Sequence, residues 1–304
     1  MLSIIIPAFN EEKCILPAHK AINSLLKDNN IEGEFIFVDD GSTDGTYEAI
    51  NKLAQNEKNI VGLHFSRNFG KESAISAGLA ATKGDCAVVI DCDLQHPPEK
   101  IIEMYRLWEQ GYEIIEGLKS NRGREKKINS FGAKIFYALI SKMAGFDMAN
   151  SSDFKLLDRK VIDVLNSMPE KGFFRAISYW VGYNKTSVEY DVKERVGGES
   201  KWSTKGLAKY ALRNISSYST TPMQIVTVLG FIMLFITVVF GVWALVDKFM
   251  GIALEGMTTV IIITIFIGSI IMISLGIIGY YIARIYEEIK GRPKYIISST
   301  TKSK

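Results

Sequence analysis

Cysteine and histidine are scarce in this chain. Its 304 residues include 3 cysteines and 3 histidines, scattered along the sequence. The cysteines, Cys14, Cys86 and Cys92, have no metal-ligand spacing and imply no disulfide framework, and their small number fits a reducing compartment. The histidines are isolated from one another, and we assign none of them a catalytic role.

Net charge is small as well, and internal repeats and low-complexity segments are absent. The formal net charge is +3 at pH 7, which is too small to indicate a nucleic acid partner. A chain of this length can form a sizeable core in one or two domains.

Charged residues are missing from two long segments, residues 225–246 and 257–283. Each exceeds the roughly 20 residues with which a helix crosses about 30 Å of hydrocarbon, so we predict two transmembrane helices. Two buried helices of a soluble core are the alternative, but such helices are shorter and carry a polar face. We expect neither segment to be a signal peptide, because both lie far from the N-terminus.

Basic residues flank the two predicted spans on their outer sides. They are Lys201, Lys205, Lys209, Arg213, Arg284, Lys290, Arg292 and Lys294. The connecting loop offers only Lys248, so the positive-inside rule predicts a plasma-membrane protein whose domain and tail are cytoplasmic. The flanking cations also favour anionic lipid. We predict a large domain at 1–204, a juxtamembrane interfacial helix at 205–222, two spans within 223–285 and a basic tail at 286–304.

Short apolar runs alternate with helical patterns in the large domain. This alternation predicts an α/β fold with a mostly parallel sheet and helices on both faces. Ligands of such sheets bind at the carboxyl ends of the strands. Asn10 is the predicted N-cap of the first helix. The predicted strands cover residues 2–7, 34–40, 60–65, 86–91 and 112–117, and the predicted helices include 71–82 and 99–110.

Carboxylate pairs end two of these strands. Asp91 and Asp93 offer oxygen ligands to a hard divalent cation, which can hold the diphosphate of an activated substrate. Asp39 and Asp40 can accept hydrogen bonds from the base or ribose of a nucleotide. The structural alternative for the second pair is a turn cluster. The two pairs together favour a nucleotide site and group transfer.

Two lysines, Lys71 and Lys119, follow predicted strands. Lys71 ends the segment SRNFGK, where backbone amides and cations that enter a helix can face phosphate. Lys119 follows the fifth strand and can reach the same diphosphate. A solvated, charged loop is the alternative at both places.

Further candidates lie closer to the predicted spans. Asp153 stands at a polar entry to an apolar run, where an N-cap is the alternative to a functional role. Residues 195–201 combine a glycine pair with Arg195 and Lys201 shortly before the first span. Such a loop can clamp an anionic head group at the bilayer surface, and a surface linker is the alternative.

Together these motifs resemble glycosyltransferase family 2. The resemblance is to its membrane-anchored polyprenyl-phosphate glycosyltransferases, which include the bactoprenol glucosyltransferases and the dolichol-phosphate mannose synthases. It covers nearly the whole chain in order and is therefore more specific than a lone D-x-D. The matching stretches are IIIPAFNEE, VDDGSTDGT, SRNFGKESAISAGL, VVIDCDLQHPPE, SSDFKLLDR, RVGGESKWS and RIYEEIKGRPKYII.

The resemblance implies a fold and a reaction. The fold is GT-A, a Rossmann-like domain with a mostly parallel sheet, followed by two transmembrane helices. The reaction is inverting transfer of a hexose, glucose or N-acetylglucosamine, from a UDP-sugar to undecaprenyl or another polyprenyl phosphate, with Mg²⁺ or Mn²⁺ as cofactor. The product would serve cell-wall or surface polysaccharide synthesis, and the enzyme would be a homo-oligomer such as a tetramer.

The resemblance also implies the roles of single residues. They are Pro7, Glu11 and Asp40 at the nucleoside, Asp91 at the ribose or the diphosphate side of the metal, Asp93 and Gln95 as metal ligands, Lys71 and Lys119 at the diphosphate, and Arg195 and Lys201 at the donor diphosphate and acceptor phosphate. Relatives often carry arginine where this chain has Lys119, which makes that contact the least specific of the set.

Asp153 matches the aspartate usually described as the catalytic base. A phosphate monoester has its second pKa at about 6 and is largely dianionic at pH 7, so it needs little proton removal. We therefore expect Asp153 to orient the acceptor or stabilise charge as much as it acts as a base. Two alternatives to the whole scheme are a GDP-mannose-dependent mannose synthase and a catalytically silent membrane scaffold.

Overall fold

The computed structural model describes residues 1–121, 152–168, 174–191 and 256–301, with scattered positions between 228 and 250. The chain divides into two compact units. One comprises Met1–Thr204 with Pro293–Lys304, and the other is Lys205–Arg292.

The first unit alternates strands and helices. In chain order its elements are β1 (Leu2–Ala8), α1 (Glu12–Asp28), β2 (Gly33–Asp39), α2 (Thr46–Asn56), β3 (Ile60–Phe65), α3 (Lys71–Ala81), β4 (Cys86–Val89), α4 (Glu99–Glu109), β5 (Ile114–Asn121), β6 (Lys155–Asp158), α5 (Arg159–Ser167), α6 (Phe174–Trp180) and β7 (Lys185–Asp191). The second unit contributes α7 (Met257–Ile289), and β8 (Ile297–Thr300) follows in the first unit. The predicted α/β fold is confirmed.

The eight strands among the described residues form one sheet. Their order is β7-β5-β6-β4-β1-β2-β3-β8, and the described pairings are parallel except those made by β6 and β8. The mostly parallel sheet is therefore as predicted. Strands β6 and β8 run in the opposite direction, so the amino end of β6 lies at the edge where the parallel strands have their carboxyl ends.

Helices cover both faces of the central strands, which explains why β1, β2 and β4 are buried without alternation. Successive residues of β1, such as Ile4 and Ile5, are both fully buried but belong to two different clusters. Ile4 packs in the cluster that includes residues of α1, α2 and α4. Ile5 packs in the cluster that includes residues of α3, α5 and α6. Both faces of β1 are therefore covered by core side chains.

The loop before α1 differs from the prediction. Helix α1 begins at Glu12, and Glu11 rather than Asn10 occupies the N-cap position. Asn10 has a φ of 55°, and its Oδ1 accepts the N–H of Thr43 at 2.9 Å. The prediction of Asn10 as N-cap was wrong, because its side chain ties the β1–α1 loop to the β2–α2 loop instead.

Strand β8 lies in a segment that the sequence analysis treats only as a basic tail. It pairs antiparallel with β3. The N–H of Thr301 donates to the carbonyl of Gly62 at 2.9 Å, and the N–H of Gly62 donates to Oγ1 of Thr301 at 2.7 Å. The ring of Tyr295 stacks on Phe65 with 5.1 Å between centroids. The chain that follows α7 is thus an integral part of the sheet.

Helix α7 is the one helix among the described residues that is long and apolar enough to cross a membrane. It has 33 residues, a length of about 50 Å at 1.5 Å per residue. Its window Phe266–Ala283 has a mean hydropathy of 2.0, and none of it is buried. The predicted span at 225–246 is described only at scattered positions, and the predicted interfacial helix at 205–222 lies outside the described residues. The pair of spans therefore stays a prediction.

Candidate active site

Acidic side chains from three strands meet at the edge where the parallel strands end. Asp39 and Asp40 stand at the end of β2, and Asp91 follows β4. Asp153 precedes β6, whose reversed direction brings its amino end to this edge. The N-cap alternative for Asp153 is excluded, because a strand and not a helix follows it. Parallel sheets place their ligands at this edge.

Lys71 links two of these carboxylates. Its Nζ lies 2.5 Å from Oδ1 of Asp91 and 2.9 Å from Oδ2 of Asp153. Burial lowers the pKa of Lys71, but the two carboxylates outweigh this effect and hold that pKa above its ordinary value. Lys71 is therefore a permanent cation between Asp91 and Asp153.

Arg175 on α6 is the second cation at Asp153. Its Nε donates to Oδ1 at 2.7 Å, and its Nη2 donates to Oδ2 at 3.1 Å. Burial raises the pKa of Asp153, but Lys71 and then Arg175 outweigh it and hold that pKa well below its ordinary value. Arg175 is not among the residues that the sequence motifs predict for the site. The signal was a lone arginine in the apolar run FFRAISYW, since a cation in such a run needs a partner.

Asp91 is ionised as well. Burial raises its pKa, but Lys71 outweighs burial and lowers that pKa below the ordinary value. His96 lies on the other side of Asp91, with Nδ1 3.9 Å from Oδ2. Burial lowers the pKa of His96, so its ring is neutral at pH 7. The ring stacks on Phe154 at 5.0 Å and meets Tyr190 edge-on at 5.4 Å.

Asp93 and Gln95 form a tight turn. The N–H of Gln95 donates to Oδ1 of Asp93 at 3.1 Å. Leu94 between them has a φ of 57°, a left-handed conformation that is strained for a bulky side chain and is retained mainly at functional sites. The side chains of Asp93 and Gln95 are partly exposed and present oxygen atoms, the donors that Mg²⁺ prefers.

The described residues contain no cluster of three or more histidine, cysteine or acidic side chains that would enclose a metal ion. Sites for Mg²⁺ in phosphate chemistry commonly use one or two carboxylates, with substrate phosphate and water as the other ligands. Asp93, with Gln95 beside it and Asp91 two residues earlier, fits such an open site. It does not fit a closed, structural one.

Asp39 and Asp40 have different partners. Oδ2 of Asp39 lies 2.6 Å from Nδ1 of His64. The carboxylate of Asp40 accepts the N–H groups of Phe69 and Gly70 at 2.7 and 2.9 Å. Burial raises the pKa of Asp40 in spite of these hydrogen bonds. Asp40 therefore fixes the loop that leads into α3, and thereby the position of Lys71.

Gly41 explains how this loop approaches β2 so closely. Its φ is 67°, and a Cβ atom there would lie 2.4 Å from the carbonyl carbon of Arg67. Only glycine permits both the backbone conformation and the contact. The turn-cluster alternative is correct in part, because the N–H of Ser42 donates to Oδ1 of Asp39 at 3.1 Å.

The remaining predicted site residues lie at or near the same edge where they are described. Pro7 is buried near the end of β1, and Glu11 follows that strand with its N–H donating to Oγ1 of Thr46 at 2.9 Å. Lys119 is exposed on β5, close to its carboxyl end. Arg195 and Lys201 lie outside the described residues. The structure thus groups Asp91, Lys71 and Asp153, and the functions of all these residues stay predictions.

Comparison with known proteins gives consistent matches. A family model described as glycosyl transferase family 2 matches residues 3–164. The bactoprenol glucosyl transferase of Shigella phage SfII is 36% identical over 302 residues, which cover 98% of this chain and 98% of that protein. A prophage bactoprenol glucosyl transferase homolog of Escherichia coli is 36% identical over 304 residues, 99% of each chain.

A solved structure has a similar fold. Glucosyl-3-phosphoglycerate synthase from Mycobacterium tuberculosis, in complex with Mn²⁺, UDP-glucose and phosphoglyceric acid, has a TM-score of 0.52. It is 21% identical, and the match covers 72% of this chain and 78% of that one. At this level of identity the similarity concerns the fold, which is a GT-A-like α/β fold.

Proposed function

The chain belongs to glycosyltransferase family 2 and is a glycosyltransferase; from this premise we propose that it transfers a hexose from a UDP-sugar to a polyprenyl phosphate. Transfer takes place at the cytoplasmic face of the plasma membrane, with inversion at the anomeric carbon. The product is a lipid-linked monosaccharide for cell-wall or surface polysaccharide.

The observation that carries this proposal is the length of the similarity to bactoprenol glucosyl transferases. It covers 98% of this chain and therefore extends beyond the α/β domain into the charge-free segments. A shared nucleotide-sugar domain alone would support only the donor. A shared apolar part supports an acceptor that lies in the membrane, and the names of these relatives specify bactoprenol as that acceptor.

The donor side of the site is Asp93, Gln95 and Asp91. Oxygen atoms of Asp93 and Gln95 would hold Mg²⁺ or Mn²⁺, which when bound neutralises charge on the leaving diphosphate. Lys71 places a fixed cation beside Asp91, and Lys119 stands close to the same edge. These cations stabilise the charge that develops on the diphosphate as the bond to the anomeric carbon breaks.

The acceptor side is Asp153 with its two cations. The phosphate oxygen forms the new bond to the anomeric carbon, and the UDP group leaves with the electron pair of the old one. The cations hold the pKa of Asp153 well below its ordinary value, which makes it a weak base at neutral pH. We assign Asp153 to orienting the acceptor and balancing charge, because a phosphate monoester with a pKa of about 6 already offers its dianion.

The membrane side of the proposal is the pair of spans at 225–246 and 257–283. Helix α7 supplies the second of them, and its window Phe266–Ala283 exposes apolar side chains along its length. Basic residues on the outer flanks keep the domain cytoplasmic. Arg195 and Lys201 then precede the first span, where they can bind the acceptor head group. Homo-oligomerisation, for example as a tetramer, remains part of the proposal.

The test is an assay of the purified full chain in detergent with undecaprenyl phosphate and a panel of UDP- and GDP-sugars. Mass spectrometry reads the lipid product. We expect a lipid-phosphate hexose from one UDP-sugar, its loss on adding EDTA and its return with Mg²⁺ or Mn²⁺. Asp93→Ala should lower the rate about 100-fold or more, because charge stabilisation of this kind is worth that much.

Asp163→Ala is the matched control for Asp93→Ala. Asp163 is an exposed carboxylate on α5, away from the sheet edge that carries the site, and this variant should keep the wild-type rate. If product formed from GDP-mannose and from no UDP-sugar, the donor would be GDP-mannose. No product from any donor, with UDP binding intact, would contradict the acceptor.

A further inference from the structure

The carboxylate of Asp153 is held in one plane by Arg175. The guanidinium contacts both oxygens, Oδ1 at 2.7 Å and Oδ2 at 3.1 Å. The Nζ of Lys71 lies 2.9 Å from Oδ2. A planar guanidinium that donates two hydrogen bonds fixes the orientation of a carboxylate, whereas an ammonium acts as a point charge. The orientation of Asp153 is therefore set by Arg175.

We propose that Arg175 is a positioning residue for sugar transfer, which acts by orienting Asp153, and that Glu72 positions Arg175 in turn. The inference rests on the proposed function, in which Asp153 faces the acceptor phosphate. It assigns the helix α6 a part in the reaction, although none of the sequence motifs of the family resemblance includes it.

Glu72 connects this helix to the rest of the site. Its Oε2 accepts the N–H of Phe174 at 2.8 Å, which fixes the start of α6 one residue before Arg175. Phe174 is buried and packs in the same core cluster as the residues of α3. Lys71 and Glu72 are neighbours in the first turn of α3. The first turn of α3 therefore holds Asp153 in two ways. Lys71 binds it directly, and Glu72 holds α6, the helix that carries Arg175.

Exposure within the cluster indicates how an anion would meet it. The side chain of Asp153 is 6% exposed, but those of Arg175 and Lys71 are 32% and 39% exposed. A phosphate that arrives from solvent therefore meets the two cations first and finds Asp153 behind them. A rotation of the Asp153 carboxylate would break or shift its contacts with both cations, because Lys71 and Arg175 each contact its oxygen atoms. Loss of the two-point contact should accordingly affect the reacting geometry more than donor binding.

The test compares Arg175→Ala and Arg175→Lys with the wild type, as full chains in detergent. We expect Arg175→Ala to lower kcat about 100-fold, since a displacement of about 1 Å at a reacting group costs this much. The donor KM and the affinity for UDP, measured by calorimetry, should change less than about threefold, because the donor residues are untouched. Arg175→Lys keeps the charge but loses the two-point contact, so its kcat should stay close to that of Arg175→Ala.

Chemical rescue separates positioning from folding. Millimolar guanidinium should raise the kcat of Arg175→Ala about tenfold, because it can re-form the paired hydrogen bonds to Asp153. It should not restore Arg175→Lys, where the lysine fills the space. Glu72→Ala should lower kcat in the same direction, again at a nearly unchanged donor KM. Arg106→Ala, which removes an arginine paired with Glu109 on the surface of α4, is the matched control.

Two results would overturn the inference. One is a wild-type kcat in Arg175→Lys, which would mean that any cation suffices. The other is a loss of activity in Arg175→Ala with an equal loss of UDP affinity and no rescue, which would mean a role in folding only. If Arg175→Ala does not fold, Arg175→Lys decides the question. A wild type that forms no lipid product would instead contradict the proposed function, so the two failures are distinguishable.

Discussion

Lys71 allows two carboxylates to occupy one partly buried place. Asp91 and Asp153 both lie against its Nζ. Without this ammonium, Asp91 would face the carboxylate of Asp153 with no cation between them, and Arg175 alone would compensate Asp153. Burial and the neighbouring negative charge would then both raise the pKa of Asp91. The residue thus has two consequences: it keeps both carboxylates charged for the reaction, and it stabilises the fold around them.

Lys71→Met should destabilise the protein at pH 7, and the difference from wild type should narrow towards pH 4. In the variant Asp91 loses its main cation, so burial and the charge of Asp153 raise the pKa of Asp91, whereas Asp153 keeps its contact with Arg175. Protonation of Asp91 at lower pH therefore relieves the buried charge. In the wild type the folded-state pKa values of Asp91 and Asp153 are depressed, and that stability is lost only below about pH 4. Removing one partner of a fully buried pair costs about 3–5 kcal/mol.

The side chain of Lys71 is 39% exposed, so we expect screening to reduce this cost to about 1–3 kcal/mol. Unfolding in one detergent at several pH values measures it. Lys100→Met is the control, because Lys100 forms an exposed pair with Glu103 on α4. An equal loss of stability in both variants, or a pH-independent loss in Lys71→Met, would contradict the prediction.

The candidate residues beside strand ends could be located from the sequence, whereas Arg175 on α6 was missed. Asp91 and Lys71 could be located because a strand end and a helix start are local signals. Arg175 is marked only as a lone arginine in an apolar run. Its partner Asp153 is brought to it by the sheet and by Glu72, and no spacing in the sequence encodes that contact. Asp40 lies at the end of β2, where the pattern predicts a strand end, but its hydrogen bonds to Phe69 and Gly70 depend on a turn that only the structure describes.

At the scale of whole elements, the strands whose positions could be predicted from the sequence are the buried ones. Strands β1 to β4 are short apolar runs covered on both faces, and their predicted positions agree with the structure within a few residues. Strands β6 and β8 have four residues each, as β4 has, but their sequences KLLD and ISST are not apolar throughout. The residues of β8 are all exposed, so nothing in their hydropathy distinguishes them from a loop.

The attachment of β8 can be tested with a matched pair of substitutions. Thr301→Val removes the Oγ1 that accepts the N–H of Gly62, and Thr301 is buried. An unsatisfied buried N–H costs about 1–3 kcal/mol, so we expect that loss of unfolding free energy. Thr300→Val makes the same change one residue earlier, at an exposed position, and should be nearly neutral. Equal melting temperatures for the two variants would refute the attachment.

At the scale of the whole molecule, the predicted topology can be mapped with single cysteines. The native cysteines, Cys14, Cys86 and Cys92, are all buried, so they should react slowly with a membrane-impermeant maleimide. Gln55→Cys on α2, Gly251→Cys between the predicted spans and Ser303→Cys in the tail supply the reporters. In inverted membrane vesicles we expect the first and third to react at once, because the positive-inside rule places them in the cytoplasm.

Gly251→Cys should react only after the vesicles are permeabilised. The wild-type chain provides the background, and solubilised protein shows that each cysteine is reactive in itself. Immediate labelling at position 251 in intact inverted vesicles would contradict the pair of spans. Absence of labelling at position 303 until permeabilisation would place the tail outside and contradict the predicted orientation.

The hydrogen bonds between β8 and β3 carry a consequence for the membrane part of the chain. Strand β8 follows α7 in sequence, yet Thr301 is bonded to Gly62 within one sheet. Two strands that share a ladder cannot be separated by a bilayer. Between β3 and β8 the chain must therefore cross a membrane an even number of times, and a crossing by α7 requires a second crossing in the same interval. Backbone pairing in the α/β domain thus requires an even number of membrane crossings, independently of any count of apolar residues.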